Sequence, residues 1–467
     1  MSQDRLIKAL AREGIQVERD GSLWRVRSIA NPHIPESLVL LPDDLAVESR
    51  AFQQLLHLSS CQHPTGGGVK RVVAAPDFHP GDGGVAIGST AYSEGSVTPA
   101  AVGGDICCGV RLHTSDLDVG DWASIRNTLA PLLQGDFHYG TRDVAQSRSV
   151  QHAMFQQGLP AWWEAQQTEG WARGSVARSD HDQLFQEIEK THLLGSLEGD
   201  PLAMPVDLLT RDVVRDDGLG TVGGGNHFLE FGYIEQILDS KAAYKLGLRQ
   251  GAVTLMVHTG SRLVGKYVGQ VWAEKARMDW QATGNPFPEH KLFPLHPSVS
   301  ESYLAAEWAA ANYGFVNRML CAEQARLRVR QALGREIEMP LVYDVPHNIT
   351  LPWRAGWLSR KGACPAEVDQ VVITPGSMGT ASYISLGMGN EQHLCSASHG
   401  AGRAISRNEA FHTGETATVD CLAIRPERIV EEAPRCYKDV ESVVKVQFEV
   451  GIMRPVARIL PLLTLKA

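Results

Sequence analysis

Hydrophobic and polar positions change period several times along this chain. Residues 4–13 are amphipathic and predict a helix, and Leu23–Ser28 predicts a strand, so residues 1–70 read as a small α/β start. Residues 145–200 are richer in Gln, Glu, Trp and His and predict a mostly helical insertion. Ser298 and Glu301 have the spacing of a capping box. Leu304, Trp308, Phe315 and Met319 then recur at helical spacing, so residues 301–333 are expected to form one long helix packed on the core. Its aromatic and methionine side chains read as core rather than as cofactor contacts. Elsewhere, short β-branched runs alternate with Gly-rich turns, at residues 71–74, 253–258, 341–345 and 371–374. Each ends in or near a polar loop, which is how a rigid scaffold presents reactive side chains. With no repeat and no low-complexity linker, the pattern predicts an α+β fold. One large catalytic domain over residues 1–467 is expected, with central β-sheets surrounded by helices.

Composition narrows the class. The 467 residues are 43% hydrophobic and 21% charged, an ordinary balance for a globular protein large enough to bury its core without a structural metal. No run of about 18 apolar residues predicts a membrane span. The N-terminus lacks the apolar stretch of a secretory signal. Eight cysteines without CxxC spacing predict a reduced, cytoplasmic protein. Lys and Arg total 44 against 53 Asp and Glu, a formal charge of −9, which argues against broad non-specific nucleic-acid binding. It leaves open the binding of a nucleic-acid end through metal ions, which supply local positive charge. Arg326, Arg328, Arg330 and Arg335 read as a solvated helix face, with a phosphate-facing strip as the alternative.

Six short motifs carry candidate chemistry. Asp105 and Cys108 stand three residues apart among glycines, where a carboxylate and a soft thiolate can share an ion; a Gly-rich turn with inert cysteines has the same pattern. His227, His258 and His347 each lie near an expected strand end, in Gly-Gly-Asn-His, Val-His-Thr-Gly and Val-Pro-His-Asn. A lone histidine of this kind suits a structural role. Three of them with Asp105 and Cys108 exceed what one structural zinc needs and suit two ions. The fifth motif, Pro375-Gly376-Ser377-Met378 continuing to Ser382, offers uncharged donors for a phosphate or a base edge. In the sixth, His399 precedes Gly400-Ala401-Gly402-Arg403. There a neutral imidazole can attack phosphorus while the turn supplies N–H donors, or can simply occupy a turn before a helix. Neither a P-loop nor a lysine-centred KxDG nucleotidyl-transfer motif occurs.

Taken in order, DICCGVRL, GGGNHFLE, VHTGSR, DVPHNI, RKGACPA, PGSMGTAS, SHGAGR and EEAPRCYKDV resemble the RtcB-type RNA-splicing ligases, from about residue 70 onward. The resemblance implies joining of RNA bearing a 2′,3′-cyclic phosphate or 3′-phosphate to RNA bearing a 5′-hydroxyl, with GTP and two Mn²⁺ ions, in RNA repair or splicing. It implies Asp105, Cys108, His227, His258 and His347 as metal ligands, with Cys108 bridging, and His399 as the carrier of GMP. By the same resemblance the nucleotide contacts are Asn226, His227, Phe228, Leu229, Glu230, His347, Asn348, Pro375, Gly376, Ser377, Met378, Ser382, His399, Gly400, Ala401, Gly402 and Tyr437. Broken RNA ends are the implied partner, with room for an accessory activating protein.

The chain also departs from the family pattern. Family members carry a lysine that touches guanine a few residues after an Arg-Pro near the C-terminus. Here that position falls near Leu460, and Lys466 lies six residues beyond it. Cys107 stands where the family usually has Asn, and Ser359 where it often has His. These departures point to a divergent member. They keep open a dinuclear-metal phosphohydrolase that opens cyclic phosphates without ligating.

Overall fold

The computed structural model describes residues 3–169, 174, 176–406, 409–410 and 419–466. Two large, mostly antiparallel sheets organise the chain. The first runs Ile15–Asp20, Leu23–Ser28, Ser37–Leu40, Gly68–His79, Ile87–Glu94, Gly356–Lys361, Asn348–Trp353. The N-terminal strands thus extend a sheet whose far edge comes from residues more than 300 positions later. The second runs Leu341–Pro346, Gly109–Asp118, Ala252–Thr259, Phe228–Ile237, Met453–Lys466, Ser382–Gly387, Val371–Thr374, with Asp420–Ala423 parallel to the C-terminal strand. Helices pack against both, so the architecture is the expected α+β.

Ala252–Thr259 shows why the second sheet is rigid. Side chains alternate between its faces. Val253, Leu255 and Val257 join a cluster with Phe231 and Leu463, whereas Ala252 and Met256 join one with Val110 and Leu112. Both faces are therefore covered, and every residue of the strand is buried.

The long helix spans Pro297–Leu333, 37 residues or about 55 Å. The expected capping box does not form. Pro297 takes the first helical position, where its missing N–H costs nothing, and His296 caps the turn by accepting the Ser298 N–H at 3.2 Å. Gly334, with φ +68°, ends the helix in the left-handed region. The helix runs through the core and is buried on nearly every side between Ala309 and Arg326. The solvated reading of its arginines is therefore corrected. Arg326 is fully buried, bonded to Glu187 at 2.5 Å and to Glu323. Arg328 pairs with Asp136 at 2.6 Å and Arg330 with Glu336 at 3.0 Å, which leaves Arg335 as the exposed one.

The 145–200 segment supplies helices Arg148–Glu169, broken at Gln157 and Gly158, and His181–Glu189. Among the described residues no helix is long and apolar enough to cross a membrane. All eight cysteines are free.

Candidate active site

The five expected metal-binding side chains come together at one edge of the second sheet. Its neighbouring strands are antiparallel, so chain ends alternate along that edge. Cys108 immediately precedes Gly109–Asp118, His227 precedes Phe228–Ile237, His258 is the penultimate residue of Ala252–Thr259, and His347 follows Leu341–Pro346. Register brings Thr259 opposite Gly109, His258 opposite Phe228 and Pro346 opposite Gly109. Cys108 Sγ then lies 3.2 Å from His227 Nε2 and 3.3 Å from His258 Nε2. His258 Nε2 is 3.3 Å from His347 Nε2, and His227 Nε2 is 3.2 Å from Asp105 Oδ2. Two donor triads result, Cys108–His258–His347 and Asp105–Cys108–His227, each with its ligand atoms within 4.8 Å of one another. Cys108 belongs to both.

Burial holds His258 and His347 well below the usual imidazole range, so both rings are neutral lone-pair donors. Burial, with Asp105 beside it, pushes the Cys108 thiol well above its ordinary value. Clustered neutral imidazoles around a thiol that ionises only with help are a donor set suited to divalent metal.

His399 lies next to this cluster, its ring centroid 4.8 Å from that of His347. Its Nδ1 is 2.7 Å from Asp77 Oδ2, which also accepts the His399 backbone N–H at 3.1 Å. With Nδ1–H donating to the Asp77 carboxylate, the Nε2 lone pair is free to attack. Lys438 ties the two sides together. Its ammonium donates to the Pro76 and Phe78 carbonyls at 2.8 and 2.7 Å, and its backbone N–H to the Gly402 carbonyl at 2.9 Å. Burial lowers the Lys438 amine to about 7, with Asp77 opposing the shift. The Asp77 turn and the turn after His399 pack so closely that a Cβ on Gly402, at φ +74°, would lie 2.1 Å from the Asp77 carbonyl oxygen.

A cleft of about 510 Å³ opens from His258 and His399. Of the expected nucleotide contacts, Asn226, Phe228, Glu230, Pro375, Gly376, Ser377, Met378, Gly400, Ala401, Gly402 and Tyr437 line it. The Leu229 side chain does not: strand alternation turns it away, into the core with Phe231 and Leu465. Of the other four outside the lining, His227 and His347 belong to the donor cluster, and Ser382 and Asn348 act from behind the wall. Ser382 Oγ accepts the Gly376 N–H at 3.1 Å and so shapes the Pro375 loop. Asn348 donates to the Asp105 carbonyl at 3.0 Å and accepts from the Gly362 N–H at 2.7 Å, which fixes the Asp105 loop.

Residues 55–467 match the family described as tRNA-splicing ligase RtcB. The chain belongs to the RtcB family. It is 36% identical over 436 residues to the RNA-splicing ligase RtcB of Mycobacterium tuberculosis, covering 84% of this chain and 96% of that protein. It is 32% identical to the tRNA-splicing ligase RtcB of Pyrobaculum aerophilum, covering 84% and 86%. It is 30% identical to that of Thermococcus kodakarensis, covering 90% and 92%.

Glu432 and Lys466 at the cleft of this RtcB-family chain, and Asp77 behind it, are given no site role by the sequence motifs. Lys466, expected to lie beyond the family's lysine position, lines the cleft and pairs with Glu432 at 3.0 Å, whereas Leu460 does not line it. Glu432 also accepts from Tyr437 Oη. Arg403 donates to Tyr437 Oη at 3.4 Å. Asp77 lies in Pro76-Asp77-Phe78-His79, at the end of the strand Gly68–His79. The hydrogen bond an imidazole makes at one ring nitrogen sets the role of the other, and the acceptor at His399 Nδ1 comes from 322 residues away.

Proposed function

We propose that the protein is an RNA ligase that joins 2′,3′-cyclic-phosphate or 3′-phosphate ends to 5′-hydroxyl ends, using GTP and two Mn²⁺ ions through a guanylate carried on His399. The observation that carries this reading is the His399 imidazole, held by Asp77 at 2.7 Å and set beside the donor cluster at one end of the cleft. Asp105, Cys108, His227, His258 and His347 would hold manganese, which supplies Lewis acidity and neutralises phosphate charge. His399 Nε2 attacks the α-phosphorus of GTP; a P–N bond forms as the bond to pyrophosphate breaks. Asp77 stabilises the positive charge that develops on the ring. The RNA 3′-phosphate then displaces His399 and takes the guanylate, and the 5′-hydroxyl attacks that activated end as GMP leaves.

Incubation with Mn²⁺ and α-labelled GTP is expected to give an acid-labile protein–GMP adduct, and addition of the two RNA ends a joined product. Wild-type protein that forms no adduct would overturn the reading. Opening of the cyclic phosphate without joining at saturating GTP would favour the phosphohydrolase instead. The displaced lysine that motivated that alternative no longer supports it, because Lys466 lines the cleft.

Glu230 gives the nucleotide site a pH dependence. Burial pushes its carboxyl up to about 7, against the Thr464 hydroxyl that donates to it at 2.7 Å and the nearby Lys466. In this reading the carboxylate accepts the N–H edge of guanine, so only the ionised form binds well. GTP affinity is expected to rise with pH toward about 7 by up to ~10-fold per unit, then level off. Glu230→Gln should flatten the profile and reduce preference for GTP over ATP, as titrations between pH 6 and 8 would read. The linkage to folding has the opposite sign. A carboxyl raised from 4.5 to about 7 favours the folded, nucleotide-free protein in acid, and that contribution is lost as pH rises through this window.

A further inference from the structure

Arg318 sits at the middle of the long helix, fully buried, where it makes no contact with the cleft. An ordinary buried arginine needs one carboxylate, and Arg318 has it: Nε donates to Asp344 Oδ1 at 2.8 Å. Its remaining donors go elsewhere. Nη1 donates to the Cys107 carbonyl at 2.5 Å and to the Thr259 carbonyl at 3.0 Å, and Nη2 lies 3.6 Å from Cys107 Sγ. Cys107 adjoins Cys108, Thr259 adjoins His258, and Asp344 is three residues before His347. One guanidinium therefore grips the backbone beside two donors of the cluster and is anchored on the strand that delivers a third.

We infer that Arg318 is a positioning residue that sets the spacing of Cys108, His258 and His347 for divalent-metal binding. The inference rests on the reading that this cluster holds metal.

Two features favour this over a purely structural ion pair. The Cys107 and Thr259 carbonyl oxygens converge on one nitrogen, so without a cation their dipoles would repel and the two donor-bearing turns would part. Cys107 also adopts φ +53°, a left-handed conformation that costs energy for a residue with a side chain. That turn persists because both ends of its peptide framework are held. The Cys107 N–H donates to the Asn348 carbonyl at 2.7 Å, and the Cys107 carbonyl is held by Arg318. A planar fork with several fixed donors meets this requirement, and a lysine ammonium on a flexible stem does not.

The test is Mn²⁺ calorimetry on the full-length metal-free protein, as wild type, Arg318→Lys and Arg318→Met, with Co²⁺ absorption as a second readout of thiolate coordination. Removing a group that orients ligands typically weakens metal binding ~10–100-fold. Arg318→Lys is expected near the lower figure and Arg318→Met near the upper, with the thiolate–cobalt band weakened in the same order. If Arg318→Met fails to fold, Arg318→Lys decides. Variants that melt earlier yet bind Mn²⁺ within about twofold of wild type, with an unchanged cobalt band, would overturn the inference. Failure of wild type to bind Mn²⁺ would instead overturn the underlying reading.

Discussion

Asp77→Asn is expected to slow guanylate loading onto His399 by ~10³–10⁴-fold, the scale seen when a buried carboxylate behind a reactive histidine is neutralised. When Nε2 bonds to phosphorus the imidazole becomes cationic, and Asp77, fully buried at 2.7 Å from Nδ1, is the anion placed to offset that charge. An asparagine can still accept the Nδ1 proton through its oxygen but carries no charge. It can also turn its amide toward Nδ1, which sets donor against donor. The buried Lys438 ammonium would at the same time lose the Asp77 charge that opposes the effect of its burial. GTP affinity should change little, because Asp77 does not line the cleft. Single-turnover labelling with α-labelled GTP separates these quantities. A loading rate within tenfold of wild type would show that Asp77 merely shapes the turn, whereas His399→Ala should give no adduct at all.

Local patterns carried much of this fold. Val371–Thr374 is a β-branched run stopped by Pro375-Gly376, and Leu23–Ser28 alternates from Trp24 onward, so both strands were legible. The long helix was legible from its apolar spacing, but its start was not, since Pro297 and His296 together make a better terminus than the Ser298 pattern. Distant partners were harder. Arg326 looks solvated until Glu187 arrives from a helix 139 residues away, and Asp77 has no visible role until His399 arrives from 322 residues away. Counting from Arg454-Pro455 puts Leu460 at the family's lysine position and does not reveal where Lys466 folds. The C-terminal strand is 14 residues long with register shifts at Arg458/Ile459 and Pro461/Leu463, and these carry its last residue to the cleft beside Glu432. Period-2 alternation, available from the start, already argued that Phe228 and Glu230 share a face that Leu229 does not.

Cys108→Ser is expected to weaken Mn²⁺ binding by more than ~100-fold and to abolish end joining, a larger loss than removing an orienting group gives. The reason is its place in the geometry. Cys108 Sγ is the one donor shared by the two triads, so its loss opens both at once, whereas loss of Asp105 or His347 opens one. A serine hydroxyl is harder and shorter, and ionises far less readily, so it cannot replace a bridging thiolate. The metal-free fold should survive, since Cys108 is a small side chain in a buried turn whose backbone N–H and carbonyl are bonded to Asp105 and His347. The thiol also gives the prediction a pH signature. Burial and Asp105 keep it protonated in the metal-free protein, so metal entry must expel a proton. Wild-type Mn²⁺ affinity should therefore climb with pH, and calorimetry in buffers of different ionisation enthalpy should count the proton released. In Cys108→Ser that release should fall away. Unchanged Mn²⁺ affinity and proton count in the variant would mean that the metals, if held there, do not share this sulfur.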